Sequence, residues 1–196
     1  MSEIEIKKLI VQSATNYFSK FGFYKTTMDE IAKHIHKAKG ALYYYFKSKE
    51  ELFNEVLKQE LGVVKMKLSL ITSSNTDSLL ILKEYMLTRL NLLHKAVNYH
   101  ETLKADFFEK YHFVNDVRED FANYERNQIT LILKKGKEEG YLDIKNIDSA
   151  VNVILMVITS IDIPLFLQNK YPEYENTIDE LATMITKSIR TQKGKD

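Results

Sequence analysis

Apolar residues recur at steps of three and four along most of the chain, and few residues interrupt them. The first run places one apolar stripe along four helical turns, formed by Ile6, Leu9, Ile10, Ala14, Tyr17, Phe18 and Phe21. Only six glycines and two prolines occur in 196 residues, too few turn formers for a many-stranded β fold. The pattern therefore predicts an all-α protein of long helices joined by short loops.

Composition and hydropathy indicate the compartment. The chain has no cysteine, which excludes disulfides and thiolate chemistry and fits a reducing cytoplasm. The first ten residues lack an unbroken apolar run, so no secretory signal is expected. Residues 151–167 are the most apolar stretch of the chain. This stretch is short for a membrane-spanning helix, and it includes Asn152, Asp162 and Pro164. We interpret this stretch as a buried helix and predict a cytoplasmic protein with no membrane partner.

The charge distribution is uneven although the net charge is only +1. Residues 31–49 contain five lysines and no acid, together with two histidines. Without those five lysines, 23 basic residues face 27 acidic ones, a balance of −4. A compact basic patch on a mildly acidic body is typical of a protein that binds an anion such as nucleic acid. A lysine-rich solvated face is an equally good interpretation of charge alone.

Helix start and stop signals divide the N-terminal part into short helices. Gly22 is a natural helix end, and Thr26 or Thr27 can cap a second helix with Glu30 in the first turn. A third helix is predicted over residues 38–46, and Ser48 can cap a long fourth one. Two short helices packed on a longer one form a helix-turn-helix unit. We predict this domain over residues 1–47 and a second helical domain over residues 48–196.

Residues 22–53 resemble the N-terminal DNA-binding domain of TetR-family transcriptional regulators. The resemblance rests on matched residues in order and spacing: Gly22, Thr26, Thr27, Ile31, Ala32, Lys39, Gly40, Leu42, Tyr43, Tyr45, Phe46, Ser48, Lys49, Glu50 and Leu52. Three positions depart from the family pattern: His36 and Ala38 stand where a glycine and a serine are usual, and Ala41 stands where a threonine is common. The tight turn must then accept a non-glycine residue, and the third helix loses its side-chain cap.

The helical period separates the roles of the three consecutive tyrosines. Leu42, Tyr45 and Phe46 share the inward face, whereas Tyr43 and Tyr44 are turned away from it. With the positions that the resemblance makes DNA-facing, the predicted DNA-binding residues are Thr26, Thr27, Lys37, Lys39, Gly40, Ala41, Tyr43, Tyr44 and Lys49. For the two threonines, helix capping alone is an alternative role, and Lys37 is also compatible with simple solvation. No arginine precedes Arg89, so base readout must use lysine, tyrosine hydroxyls, apolar contacts or DNA shape. We therefore predict an A·T-tolerant operator.

The resemblance also implies that the C-terminal helices bind a small-molecule inducer and form a homodimer. The dimer helices would span about 147–170 and 173–192. A helix that is apolar almost all round needs cover on every side, which a second subunit supplies. Such a dimer would bind a near-palindromic double-stranded DNA operator.

The ligand site is weakly encoded. Five aromatic residues are candidates for a pocket and equally for ordinary core, namely Tyr99, Phe107, Phe108, Tyr111 and Phe113. Asp162, inside an apolar run, must be paired, hydrogen-bonded or at a cavity. A local structural role, a contact across the dimer and a contact with a ligand's cationic or hydroxyl group all remain open for it. The spacing of the acids and histidines near residues 100–112 indicates no metal site, and no cofactor is predicted.

The sequence therefore predicts a ligand-responsive homodimeric regulator, a repressor in the usual mode of this family, and not an enzyme. One alternative is a helical partner-binding module that has lost DNA binding, for which His36 and Ala38 are the indication. A further alternative is an all-α enzyme using the carboxylates and histidines of residues 100–112. No phosphate loop or nucleophile motif supports the enzyme.

Overall fold

A computed structural model of the protein describes residues 2–105, 107 and 111–191. Helices make up the fold throughout these residues, which confirms the predicted all-α class. They are α1 (Glu3–Lys25), α2 (Met28–His34), α3 (Lys39–Tyr45), α4 (Lys49–Thr72), α5 (Ser78–Lys95), α6 (Val97–Glu101), α7 (Asn115–Glu138), α8 (Ile147–Ser160) and α9 (Tyr171–Ser188). A 3₁₀ turn at His112–Val114 precedes α7, and a π turn at Ile163–Leu167 follows α8.

The chain divides into two compact units. Unit 1 comprises Met1–Gly62 and Ala96–Arg118, and unit 2 comprises Val63–Lys95 and Glu119–Asp196. The long helices α4 and α7 each begin in unit 1 and end in unit 2. The functional boundary after residue 47 stays a prediction.

The core of unit 1 is built largely from aromatic rings. Phe18, Phe23 and Phe53 are almost fully buried and lie ring to ring, with centroids 4.9–5.9 Å apart. The helical conformation of α1 breaks at Gly22, as predicted, in a kink (φ 80°, ψ 164°), and a short further helical segment continues to Lys25. The kink is possible because glycine adopts positive φ without steric cost.

In unit 2, α5 packs against α9, and α7 lies very close to the chain that follows it. The buried residues of unit 2 include Leu82, Ile129, Leu133, Ile154 and Ile178. Gly136 on α7 lies against Leu142 so closely that a Cβ there would be 2.5 Å from the leucine Cδ1. This glycine therefore sets how closely the chain after α7 packs on the helix.

Helix α8 is shorter and more exposed than predicted. The helix expected over about 147–170 ends at Ser160, and Pro164 lies in the π turn that follows. Val153 and Met156 are 59% and 69% exposed, so the stretch interpreted as a buried helix has one uncovered apolar side. Within the described residues, Ile147–Leu167 is the one segment long and apolar enough to cross a bilayer by length and composition, and 33% of its most apolar part is buried.

Candidate nucleic-acid interface

The turn between α2 and α3 is held by a Schellman motif. The Lys37 N–H donates to the Ala32 carbonyl (2.9 Å), and the His36 N–H donates to the Lys33 carbonyl (3.1 Å). His36 has φ 54°, in the left-handed region that usually selects glycine. The structure thus confirms that this turn accepts a non-glycine residue, and the two hydrogen bonds are what hold it there.

Helix α3 begins without a side-chain cap. Ala38 occupies the N-cap and makes no side-chain hydrogen bond to the first turn, as the sequence predicted. The first turn carries no acidic residue, and its Lys39 and Gly40 are exposed. An exposed helix N-terminus with a positive dipole end beside a lysine is suited to a phosphate group.

The exposed side of α3 carries the two predicted tyrosines. Leu42 and Phe46 are buried, with exposures of 0% and 2%, whereas Tyr43 and Tyr44 are 40% and 67% exposed. The Tyr44 ring stands edge-on to the Tyr45 ring, with centroids 5.0 Å apart. This packing restrains Tyr44 while its hydroxyl remains on the surface, where it can donate to a phosphate or a base edge.

The two threonines before α2 have different roles. Thr27 is exposed and caps α2: its hydroxyl accepts from the Glu30 N–H (3.3 Å), and its own N–H donates to the Glu30 carboxylate (2.9 Å). Thr26 is completely buried, and its hydroxyl donates to the carbonyls of Gly22 (2.8 Å) and Tyr17 (3.3 Å). The expectation that Thr26 contacts DNA therefore needs correction, because its hydroxyl is inside unit 1 and already occupied.

Lys49 also departs from its predicted role. Its ammonium donates to the Phe23 carbonyl (2.9 Å) and lies over the Phe23 ring, 4.3 Å from the centroid. Burial lowers the pKa of Lys49. The side chain therefore ties α4 to the end of α1 and does not extend toward a phosphate.

The remaining predicted DNA contacts form one surface, which we name the α3 face: Lys37, Lys39, Gly40, Ala41, Tyr43 and Tyr44, with Thr27 at the start of α2. Ala41 is half-buried and the other members are exposed. Nothing lies within 4 Å of a Cβ placed on Gly40, so the backbone there is open to a large partner. Three hydroxyls, two ammonium groups and two helix starts thus lie within eighteen residues of chain.

Three of the predicted ligand residues, Phe107, Tyr111 and Phe113, pack around the ring of Phe23. Phe107 is fully buried, and its centroid lies 5.4 Å from that of Phe23, while Tyr111 and Phe113 contact the same ring at 5.2 and 5.6 Å. Tyr99 is 8% exposed and its N–H donates to the Glu60 carboxylate. These contacts favour the core alternative that the sequence left open. Phe108 lies outside the described residues.

Asp162 is paired inside unit 2. Its two carboxylate oxygens accept from the Arg89 guanidinium at 2.7 and 2.9 Å. The same guanidinium also donates to Glu125, and all three residues are at most 3% exposed. Burial raises the pKa of Glu125, although Arg89 opposes the shift. Sequence reasoning missed Arg89 and Glu125, and the available signal was an arginine inside the apolar period of α5.

Comparison with known proteins agrees with this geometry. Residues 10–56 match the model of the bacterial regulatory proteins, tetR family. The chain is 47% identical over 64 residues to the HTH-type transcriptional regulator YhgD of Bacillus subtilis, a match that covers 33% of this chain and 34% of YhgD. It therefore spans about a third of the length of that relative.

Two further similarities extend over most of the chain. It is 27% identical to the HTH-type transcriptional regulator QacR of Staphylococcus aureus, covering 87% of this chain and 96% of QacR. Its fold is similar to that of FadR of Bacillus subtilis in complex with stearoyl-CoA, with a TM-score of 0.72, 17% identity, and coverage of 89% and 96%. The helix-turn-helix of unit 1, its family match and these similarities lead to one conclusion: residues 10–56 form the domain that defines the tetR family of bacterial regulatory proteins.

Proposed function

We propose that the protein is a ligand-responsive transcriptional repressor that binds a near-palindromic DNA operator as a homodimer and is released by a small-molecule inducer. The α3 face carries this proposal. Tyr43 and Tyr44 are exposed on a short helix whose opposite side, Leu42 and Phe46, is core. Apolar packing gives no reason for two exposed phenols between lysines, whereas a phosphate backbone and base edges do.

The side chains of the α3 face determine how the protein could recognise DNA bases. Unit 1 has no arginine on α1–α3, so the bidentate arginine–guanine contact is absent from it. Lys39 and the tyrosine hydroxyls remain as polar readers, with Ala41 able to contact a thymine methyl. We therefore propose an operator of A·T-tolerant sequence, and a cytoplasmic location follows from the DNA partner.

Exposed apolar side chains on unit 2 support the homodimer. Met156 on α8 and Met184 on α9 are 69% and 62% exposed. An apolar groove between these helices is lined by Val153, Val157 and Ile185. A second copy that covers this surface would bury apolar area and relate two α3 faces by a two-fold axis.

The dimer can be tested with a matched pair of substitutions. Met156→Glu should give a monomer in sedimentation velocity and lose most operator affinity, because it puts a charge into the proposed interface. Leu131→Glu is the control, since Leu131 is similarly exposed (58%) but lies on α7. A dimer that persists in Met156→Glu would contradict the α8–α9 interface.

Release by a small molecule rests on the family and on analogy of fold. FadR, whose fold this chain shares, was solved with stearoyl-CoA. We propose that a ligand of this chain binds unit 2 and selects a conformation with lower operator affinity, by the difference between its affinities for the two states.

The DNA-binding proposal is tested by fluorescence anisotropy. The probe is DNA from upstream of the protein's own coding region, and a scrambled duplex of equal length is the control, both titrated at several salt concentrations. We expect a preference of ~10³-fold or more for the upstream DNA and a steep loss of affinity with salt. Binding to neither duplex at low salt would instead favour the partner-binding module.

A second set of variants tests the α3 face. Replacing both Tyr43 and Tyr44 by Phe removes only the hydroxyls, and two lost hydrogen bonds should weaken operator binding by ~10-fold or more. Tyr141→Phe is the control, because the exposure of Tyr141 (44%) is close to that of Tyr43 (40%) but Tyr141 belongs to unit 2. Unchanged affinity of the double variant would show that the face is wrongly assigned.

A further inference from the structure

Unit 2 contains a buried cluster with one positive and two negative groups. Arg89 is 0% exposed, Glu125 2% and Asp162 3%. Arg89 Nη1 and Nη2 bind the two oxygens of Asp162 at 2.7 and 2.9 Å, and Nε and Nη2 bind those of Glu125. Nη1 also donates to the Ile158 carbonyl at 3.3 Å. All five guanidinium N–H groups are thereby engaged. They donate to the Glu125 carboxyl on α7, to the Ile158 carbonyl on α8 and to Asp162, which follows α8.

One guanidinium cannot neutralise two carboxylates. With both acids ionised, the cluster has a formal charge of −1 in a region closed to water. A buried charge without a counter-charge costs several kcal/mol, and a folded protein removes that cost by changing the protonation of the group. Two carboxylates that share one site cannot both ionise at their ordinary pKa.

Among the residues that the structure describes, Arg89 is the one cation paired with Glu125 or Asp162. Two further titratable side chains are close to Glu125. Tyr85 lies on α5, the helix that carries Arg89, and Tyr124 precedes Glu125 on α7. The Tyr85 hydroxyl is buried and makes no hydrogen bond to any described residue, and the Tyr124 hydroxyl is engaged with Ser69 (2.8 Å) and the Lys65 carbonyl (2.7 Å).

Lys65 on α4, whose ammonium lies over the Tyr124 ring, is itself paired with Asp120. None of these groups carries a positive charge that is free to pair with Glu125. The excess negative charge therefore has no counterpart in this part of unit 2.

We propose that Glu125 binds one proton in the folded protein at neutral pH, so that unit 2 takes up this proton from solvent when it folds. Asp162 then holds the guanidinium in a two-point ion pair, and the neutral Glu125 carboxyl accepts from Nε through its carbonyl oxygen. The proton acts as a ligand of unit 2, joining α5 and α7 through a hydrogen-bonded cluster of zero net charge.

The sign of the pH dependence follows from this assignment. Burial raises the pKa of Glu125 above its ordinary value of 4.5. A group whose pKa is higher in the folded state stabilises the fold fully below the unfolded-state pKa and loses this contribution as the pH rises through the folded-state pKa. Between those two pKa values, the unfolded chain has released the proton that the folded protein still holds. The equilibrium constant of unfolding therefore increases with rising pH, by up to tenfold per pH unit.

The test is urea unfolding of the full chain at pH 5, 6, 7 and 8, comparing the wild type with Glu125→Gln. Glutamine is close in shape to a protonated glutamate, so at pH 5 we expect unfolding constants within about threefold of each other, a difference within the uncertainty of such extrapolations. With rising pH, the ratio of the wild-type constant to the Glu125→Gln constant should increase, by up to tenfold per pH unit. Glu60, whose pKa burial also raises, is present in both proteins and cancels from this ratio.

Glu84→Gln serves as the control for removal of a glutamate charge. Glu84 is exposed on α5, and its variant should follow the pH dependence of the wild type. If Glu125 is ionised in the folded protein, it exchanges no proton on unfolding above pH 6, so the pH profiles of the wild type and Glu125→Gln should run parallel. Parallel profiles would therefore overturn the proposal, whatever the difference between the two unfolding constants at pH 5.

A measurement on the wild type covers the case in which Glu125→Gln does not fold. In protein with ¹³C-labelled glutamate carboxyls, the Glu125 resonance, assigned through its side-chain correlations, should keep the chemical shift of a protonated acid at pH 7. A resonance already at the carboxylate position at pH 7 would refute the proposal without any variant.

Discussion

Two helical glycines provide a sharp test of how packing in this protein competes with helix propensity. Gly62 lies inside α4 and Gly136 inside α7. A Cβ on Gly62 would meet nothing within 4 Å, whereas one on Gly136 would lie 2.5 and 2.7 Å from Leu142 Cδ1 and Cγ and also contact Ser78. The same substitution by alanine should therefore have opposite effects at the two sites.

The magnitudes follow from the geometry. Alanine is favoured over glycine inside a helix by about 1 kcal/mol, so Gly62→Ala should stabilise the protein by about that amount. At Gly136 the same gain is outweighed by overpacking, because Leu142 and Ser78 are buried (5% and 0% exposed) and cannot swing aside into solvent. Overpacking costs about 1–3 kcal/mol, which leaves Gly136→Ala destabilised by up to about 2 kcal/mol.

The assay is urea unfolding of both variants beside the wild type, followed by helical circular dichroism. The midpoint should rise for Gly62→Ala and fall for Gly136→Ala, with unchanged slopes in urea. Equal stabilisation of both variants would refute the reasoning, since it would mean that α7 and the chain after it separate at little cost. In a double-mutant cycle, Gly136→Ala should cost less in a Leu142→Ala background than in the wild type if the clash with Leu142 is the cause.

Three further outcomes are expected. His36→Gly should raise the free energy of unfolding by about 1 kcal/mol, because it relieves the left-handed conformation of His36 while leaving the α3 face intact; a loss of stability in urea unfolding would contradict this. Lys49→Met should lower stability by about 1–2 kcal/mol, because its contacts with Phe23 are lost, but it should leave the salt dependence of operator binding unchanged. Lys39→Met should instead reduce the slope of log affinity against log salt concentration by about one. Equal slopes for the two variants would refute this distinction between the lysines. Arg89→Met should cost about 3–5 kcal/mol, because it leaves the Asp162 carboxylate buried without a partner; adding Asp162→Asn should restore part of this loss in thermal unfolding, and no recovery would contradict it.

Much of the α3 face could be predicted because its signals are local. The Thr27–Glu30 cap joins residues three apart, and the Ser48 hydroxyl accepts from the Glu51 N–H at 3.1 Å in the same way. The separation of Tyr43 and Tyr44 from the core depends only on the helical period, which holds whatever the helix packs against. The missing cap at Ala38 was visible for the same reason.

The errors occurred where two residues of the same type differ only in their distant neighbours. Thr26 and Thr27 are adjacent and chemically identical, yet one hydroxyl is buried against the carbonyls of α1 and the other caps α2. Lys39 and Lys49 both begin helices, but only Lys49 has the Phe23 carbonyl, 26 positions earlier in the chain, within reach. No local pattern distinguishes the members of either pair.

The sequence alone thus determined the helical class, the caps and the side of α3 that faces solvent, because propensity, capping and period act over three or four residues. Tertiary structure decided which polar groups meet: Asp162 lies 73 positions from Arg89, and Glu125 lies 36 positions from the same guanidinium. The sequence showed that a buried Asp162 needs a partner, since an isolated charge in an apolar core is too costly. Only the packing of α5 against α7 and α8 shows that a single arginine serves two carboxylates, and from that shared counter-charge the bound proton follows.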